Sequence, residues 1–171
     1  TYKAPIKMLS VIFWKVGRLQ EAEQLAFLAT DGQPKTATDF NNLGNIYKSQ
    51  GNLYKAKQTF EQGIIATPEN SQLHLSLSTI QLAQFNFIEG WKNYSWRLSL
   101  EPSFPPNNIL WDGSTLEHKN ILIYNEQGIG DDIMFSQLLQ EIADQTNICY
   151  VMCPPRLTHL YDRSFTNITT I

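Results

Sequence analysis

Apolar positions recur every three to four residues through the first part of the chain, then collapse into short continuous runs near its end. Phe40, Leu43, Gly44 and Tyr47 stand at i, i+3, i+4 and i+7, which places them on one face of a helix. Gly51-Asn52 interrupts that pattern, and Ala56, Phe60, Gly63 and Ile64 rebuild an apolar stripe on a second helix. Gly44 and Ala56 are small where two antiparallel helices must approach closely. Thr67-Pro68 ends the second helix, because proline disfavours helical backbone in the residue before it. The unit repeats: Leu9, Leu43 and Leu77 stand 34 residues apart, as do Pro34, Pro68 and Pro102, and Ala22, Ala56 and Gly90. Ser10, Gly44 and Ser78 keep the step, and Ala26, Phe60 and Tyr94 form an apolar column. Three helical hairpins are predicted, over about residues 3–36, 37–70 and 71–104.

The third unit departs from the other two. Gln81 and Phe85 stand where Tyr47 and Gly51 stand before them, and Arg97 falls in the column of Ala29 and Gly63. Trp91 and Tyr94 share a face of its second helix while Trp96 points elsewhere, which suits either a cap that seals the stack or an interface to the next domain. Glu101 to Asn108 holds three prolines and no periodicity, so residues 105–118 read as a linker that includes a Trp111-Asp112-Gly113 turn.

From Asn120 the period changes. Ile121-Leu122-Ile123-Tyr124 is a continuous apolar run, as in buried parallel strands. Gly128-Ile129-Gly130 makes a turn, and Asp131 to Ala143 is predicted as a helix burying Ile133, Met134, Gln137, Leu138 and Ile142. A strand at Ile148–Met152, a helix over Arg156–Tyr161 and a strand from Ile168 to Ile171 complete a partial Rossmann-like pattern over 119–171. The predicted class is α + α/β, a helical-hairpin array over 1–104 followed by a parallel sheet. The chain opens on Thr1 and closes on an apparent strand, and is expected to be a piece of something larger.

Composition narrows the function classes. Thirteen Lys and Arg against sixteen Asp and Glu give a formal charge of -3, too little positive charge for non-specific nucleic-acid binding. No apolar run approaches a membrane span or reads as a signal peptide, so a cytoplasmic protein is expected. Cys149 and Cys153 would be about 13 Å apart on an extended strand, too far for a disulfide. His74, His118 and His159 show no metal-ligand spacing, so no metal site is expected.

Two sets of residues carry candidate chemistry. Asn41, Asn42, Asn45 and Lys48 are polar positions of the middle unit's first helix, either simply solvated or facing a groove where amides bind the backbone of an extended peptide. Asp131 and Asp132 stand at the glycine turn, where two carboxylates would repel a pyrophosphate. Asp131 is either an N-cap or a base at the carboxyl end of a strand, where open sheets place their ligands.

The repeat length, its large, small and proline columns, and the turns Gly17-Arg18-Leu19-Gln20-Glu21-Ala22 and Gly51-Asn52-Leu53-Tyr54-Lys55-Ala56 resemble the tetratricopeptide repeat (TPR). Gly90-Trp91, Tyr94, Trp96-Arg97, Trp111-Asp112-Gly113, Glu126-Gln127-Gly128-Ile129-Gly130-Asp131 and Cys153-Pro154-Pro155-Arg156-Leu157 together resemble a bacterial family that joins TPR arrays to a glycosyltransferase. That domain is similar to glycosyltransferase family 9, the heptosyltransferase-like enzymes of GT-B fold. Tyr124-Asn125 and Asp132 depart from the family's usual His-Ala and Thr.

The resemblance implies an inverting hexosyl or heptosyl transfer from a sugar-nucleotide donor to a sugar or protein hydroxyl, without a required metal. Asp131 would be the general base, and Glu126, Gln127, Gly128 and Gly130 would shape the acceptor site. The donor half would lie elsewhere, so this stretch alone is expected to be inactive and to hold no cofactor. The competing expectation is a non-catalytic TPR adaptor for protein–protein interaction.

Overall fold

The computed structural model describes residues 2–100, 110–126 and 128–171. It divides into two compact units, Thr1–Pro106 and Asn107–Ile171. The proline-rich stretch predicted over Glu101–Asn108 lies outside the described residues.

The first unit is three helical hairpins: α1 (Lys3–Lys15) with α2 (Leu19–Ala29), α3 (Ala37–Ser49) with α4 (Leu53–Ala66), and α5 (Ser71–Ala83) with α6 (Phe87–Tyr94). Its core comprises Phe40, Leu43, Tyr47, Ala56, Phe60, Leu73, Leu77 and Ile80, of which Leu43, Leu77, Ala56 and Phe60 come from the columns of the 34-residue step. Close approach is enforced where expected. A methyl on Gly63 would stand 2.8 Å from Phe40 Cβ, and one on Gly90 would stand 2.7 Å from Leu82 Cδ2. Side chains cap the helix starts: Asn52 accepts from Lys55 N–H at 3.0 Å at α4 and Asn70 from Leu73 N–H at 3.1 Å at α5. Thr36 and Asp39 form a reciprocal capping box at α3. Asp39 is buried and also receives the Lys7 ammonium of α1 at 2.6 Å, so one cap ties two hairpins together.

Gly17 and Gly51 turn their hairpins at φ +83° and +77°. In the third hairpin Phe85 adopts the same left-handed conformation, φ +61°, although it carries a side chain. Helix α6 is shorter than α2 and α4, and passes into a 3-10 segment over Ser95–Leu100. Arg97, in the column of Ala29 and Gly63, lies on that segment with its guanidinium 4.3 Å from the centre of the Tyr94 ring. Trp91 meets Tyr94 edge to face at 5.5 Å but remains 58% exposed, so it does not seal the stack. Trp96, carried by the 3-10 segment, packs flat on His74.

The second unit is a three-stranded parallel sheet of order β1 (Asn120–Tyr124), β2 (Ile148–Met152), β3 (Ile168–Thr170). Ile121 pairs with Cys149, Ile123 with Val151, and Val151 with Thr170. The first crossover begins at α7 (Ile129–Phe135) and resumes, after a 3-10 turn at Ser136–Leu138, as α8 (Leu139–Ala143). The second crossover is α9 (Pro155–Ser164). Pro155 occupies its first turn, where a missing N–H costs nothing.

Two expectations are corrected here. The helix predicted as continuous from Asp131 is broken at 136–138, and the tighter 3-10 winding rotates everything after it. Ile133 and Met134 are already exposed ahead of the break, as are Gln137 and Leu138 within it, while after it Leu139 and Ala143 enter the core beside Cys149, Val151, Leu157 and Tyr161, with Ile142 packed against them. The apolar strands also read as buried on both faces. Among the described residues only the face of Cys149 and Val151 is covered, and Leu122, Tyr150 and Met152 are exposed on the other. The Trp111 turn forms as predicted: the indole N–H donates to Ser114 O at 2.7 Å, and Asp112 Oδ1 accepts from Ser114 N–H at 2.9 Å.

Candidate functional site

The first crossover places the acidic candidates. Glu126, Gly128 and Gly130 follow the carboxyl end of β1, and Asp131 sits in the first turn of α7. Gln127 lies outside the described residues. Helix α7 begins two residues earlier than predicted, with Gly128 as its N-cap, so Asp131 is not the capping residue. Its N–H donates to Gly128 O at 2.9 Å, and that of Asp132 to the same oxygen at 3.1 Å. Among the described residues no side chain caps the helix.

The two glycines leave this backbone uncovered. A methyl on Gly130 would meet nothing within 4 Å, and one on Gly128 only Asp131 Oδ2, at 3.8 Å. Neither glycine is among those with positive φ, so neither packing nor a left-handed turn requires them. Bare main chain beside a half-buried carboxylate is open to a ligand's approach.

Asp132 lies differently. Its Oδ2 is buried with no hydrogen-bond partner among the described residues. Burial, and then the neighbouring charge of Asp131, holds its carboxyl above the usual range. Tyr161 of α9 donates its hydroxyl to the Asp132 carbonyl at 3.0 Å, fixing the start of α7 against the second crossover. Burial, followed by the charge of Asp132, raises the Tyr161 phenol. This pairing spans 29 residues and left no mark in the local pattern. The adjacency of two aspartates was the only available signal.

The polar residues predicted for a peptide groove have unequal roles. Asn41 Oδ1 accepts from the Ser76 hydroxyl at 2.7 Å, and Lys48 Nζ donates to Thr79 Oγ1 at 3.4 Å, so both link α3 to α5. Burial lowers the Lys48 ammonium below its ordinary range. Asn42 lines a small cleft with Lys7, Ser10 and Asp39, on the side of α3 that faces α1. Asn45 is half-buried on the same helix.

Cys149 and Cys153 are free and buried. Among the described residues no group of His, Cys, Asp or Glu has metal-site geometry, and no helix is long and apolar enough to cross a membrane.

No family model matches the chain. It is similar to Protein FlbA of Caulobacter vibrioides, at 31% identity over 110 residues. The match covers 60% of this chain and 18% of FlbA, so the chain spans less than a fifth of that relative's length.

Proposed function

We propose that this chain carries the docking array and the acceptor half of an inverting, sugar-nucleotide-dependent glycosyltransferase. In this reading the hairpins are a TPR array that recruits a protein or peptide. The sheet is the opening of a GT-B fold similar to glycosyltransferase family 9, and Asp131 is its base.

The observation that carries the reading is the first crossover: a carboxylate in the first turn of α7, beyond the end of β1, beside the exposed backbone of Gly128 and Gly130. Asp131 removes the proton of an acceptor hydroxyl as that oxygen attacks the anomeric carbon of the donor. The bond from that carbon to the nucleoside diphosphate breaks on the opposite side, and the leaving group takes the electron pair. Glu126, Gln127, Gly128 and Gly130 orient the acceptor, and Asn42 and Asn45 contribute to holding the recruited chain.

The test is to incubate the full-length gene product with a panel of nucleotide sugars and a peptide acceptor, and to measure sugar incorporation by mass spectrometry. Transfer from one donor, weakened by Asn42→Ala and Asn45→Ala for the peptide but not for a small free-hydroxyl acceptor, supports the reading. Peptide binding without consumption of any nucleotide sugar returns the protein to the adaptor class.

A further inference from the structure

The first helices of the three hairpins carry the same apolar pair, and α1 leaves its own bare. Leu9, Leu43 and Leu77 stand 34 residues apart, and so do Ile12, Ile46 and Ile80. In α3 and α5 the pair is buried: Leu43 is 5% exposed and Leu77 4%, Ile46 and Ile80 1% each. In α1 Leu9 is 40% exposed and Ile12 51%. Met8 and Val16, both exposed, extend this stripe along the same face of the helix.

The difference lies in what stands in front. Each first helix has its own second helix, and α1, like α3, has a hairpin after it. Helix α3 also has α2 before it. Leu43 shares a small cleft with Ala26 and Thr30, and Gln50 Nε2 donates to Glu23 Oε2 at 2.7 Å. Val16 is the residue of α1 at the Gln50 position. Helix α5 has α4 before it, so close that a methyl on Gly63 would stand 2.9 Å from Leu73 Cδ1. An array needs a polar outer face at its ends to stay soluble. Helix α1 instead carries the apolar pattern of an interior position.

We propose that in the full-length gene product a further hairpin of the same kind precedes α1 and lays its second helix across Met8, Leu9, Ile12 and Val16, as α2 lies across α3. A second copy of this chain is a poorer occupant. Its α6 ends at Tyr94 and is followed by Arg97 in the column of Ala29 and Gly63, so it lacks the small residue at which α4 admits Leu73. Sugar transfer plays no part in this packing, which stands or falls separately from it.

The experiment oxidises the full-length gene product with hydrogen peroxide, native and in urea, and follows the sulfoxide of Met8 by peptide mass spectrometry. Covered by the preceding hairpin, Met8 oxidises about tenfold more slowly in the native protein than in urea, at every protein concentration. In parallel, Leu9→Cys is combined with a cysteine placed one repeat before Thr30, and a short bismaleimide links the two within one chain. Should Leu9→Cys fail to fold, Ile12→Cys takes its place. Equal oxidation of Met8 in the native and unfolded protein overturns the proposal. So does protection that disappears on dilution, which assigns the face to a second copy, and so does protection without the link in a folded variant, which assigns it to another part of the protein.

Discussion

A methyl group on Gly44 would lie 2.3 Å from Cε1 of Phe60 and 2.7 Å from its Cδ1 and Cζ, inside the van der Waals envelope of a fully buried ring. The missing side chain is thus what lets α3 and α4 close upon each other. Gly44→Ala gains about 1 kcal/mol in helix propensity. The overpacking it causes costs roughly 1–3 kcal/mol, so the net change is expected to be destabilising. Urea unfolding reads this as a lower midpoint at unchanged slope. Phe60→Leu introduced together with Gly44→Ala should recover part of that loss, because the two sites are in contact and their effects are not additive.

Phe85 provides the opposite case. It is 79% exposed and sits at φ +61° in the column where Gly17 and Gly51 make the other turns. A left-handed residue bearing a Cβ costs about 1–2 kcal/mol, and its edge contact with Phe87, at 6.1 Å, recovers only part of that. Phe85→Gly is expected to raise the stability of the array by about 1 kcal/mol, read as an upward shift of a few degrees in its thermal midpoint.

Asp39 makes the array sensitive to acid. Burial pushes its carboxyl up, but the Lys7 ammonium, the Thr36 hydroxyl and the N–H groups of Lys35 and Thr36 outweigh burial and hold it below the usual range. A carboxyl depressed in the folded state contributes stability above its unfolded pKa of ~3.9 and loses it as pH falls through the folded one. Asp39→Asn should therefore destabilise by roughly 1–2 kcal/mol at neutral pH. The variant and wild-type denaturation midpoints should converge in strong acid.

Asp132 carries the opposite sign. Its carboxyl is held above the usual range, first by burial and then by Asp131, so its unfavourable contribution grows as pH rises through the folded pKa. Asp132→Asn removes a buried charge and is expected to stabilise the sheet unit by about 1 kcal/mol at neutral pH. The gain disappears below the ordinary carboxylate range. Equal midpoints at pH 7 would contradict this.

These four residues also show what the sequence disclosed. The hairpins were legible because their columns record packing: a small residue where helices approach, an aromatic where they enclose a core, a proline where a turn ends. Column logic fails where one residue breaks the rule and the backbone complies, as at Phe85. The sheet was legible from its apolar runs, but the break at Ser136–Leu138 was not, since a single 3-10 turn barely alters composition while rotating every later side chain. The candidate site was legible as a place, namely glycines and acids after a strand. The separate surroundings of Asp131 and Asp132 were hidden, because Tyr161, which bonds that turn, lies a whole crossover away. Nor could the sequence show that Asn41 and Lys48 bond Ser76 and Thr79, since each partner stands 31 or more residues away.

The most direct measurement compares kcat/KM for sugar transfer by the full-length gene product with that of its Asp131→Asn and Asp132→Asn variants, alongside their thermal midpoints. Loss of a general base predicts a fall of about 10²–10⁴ for Asp131→Asn with the midpoint nearly unchanged. Asp132→Asn is predicted to retain most activity. Transfer by Asp131→Asn at the wild-type rate would contradict the account.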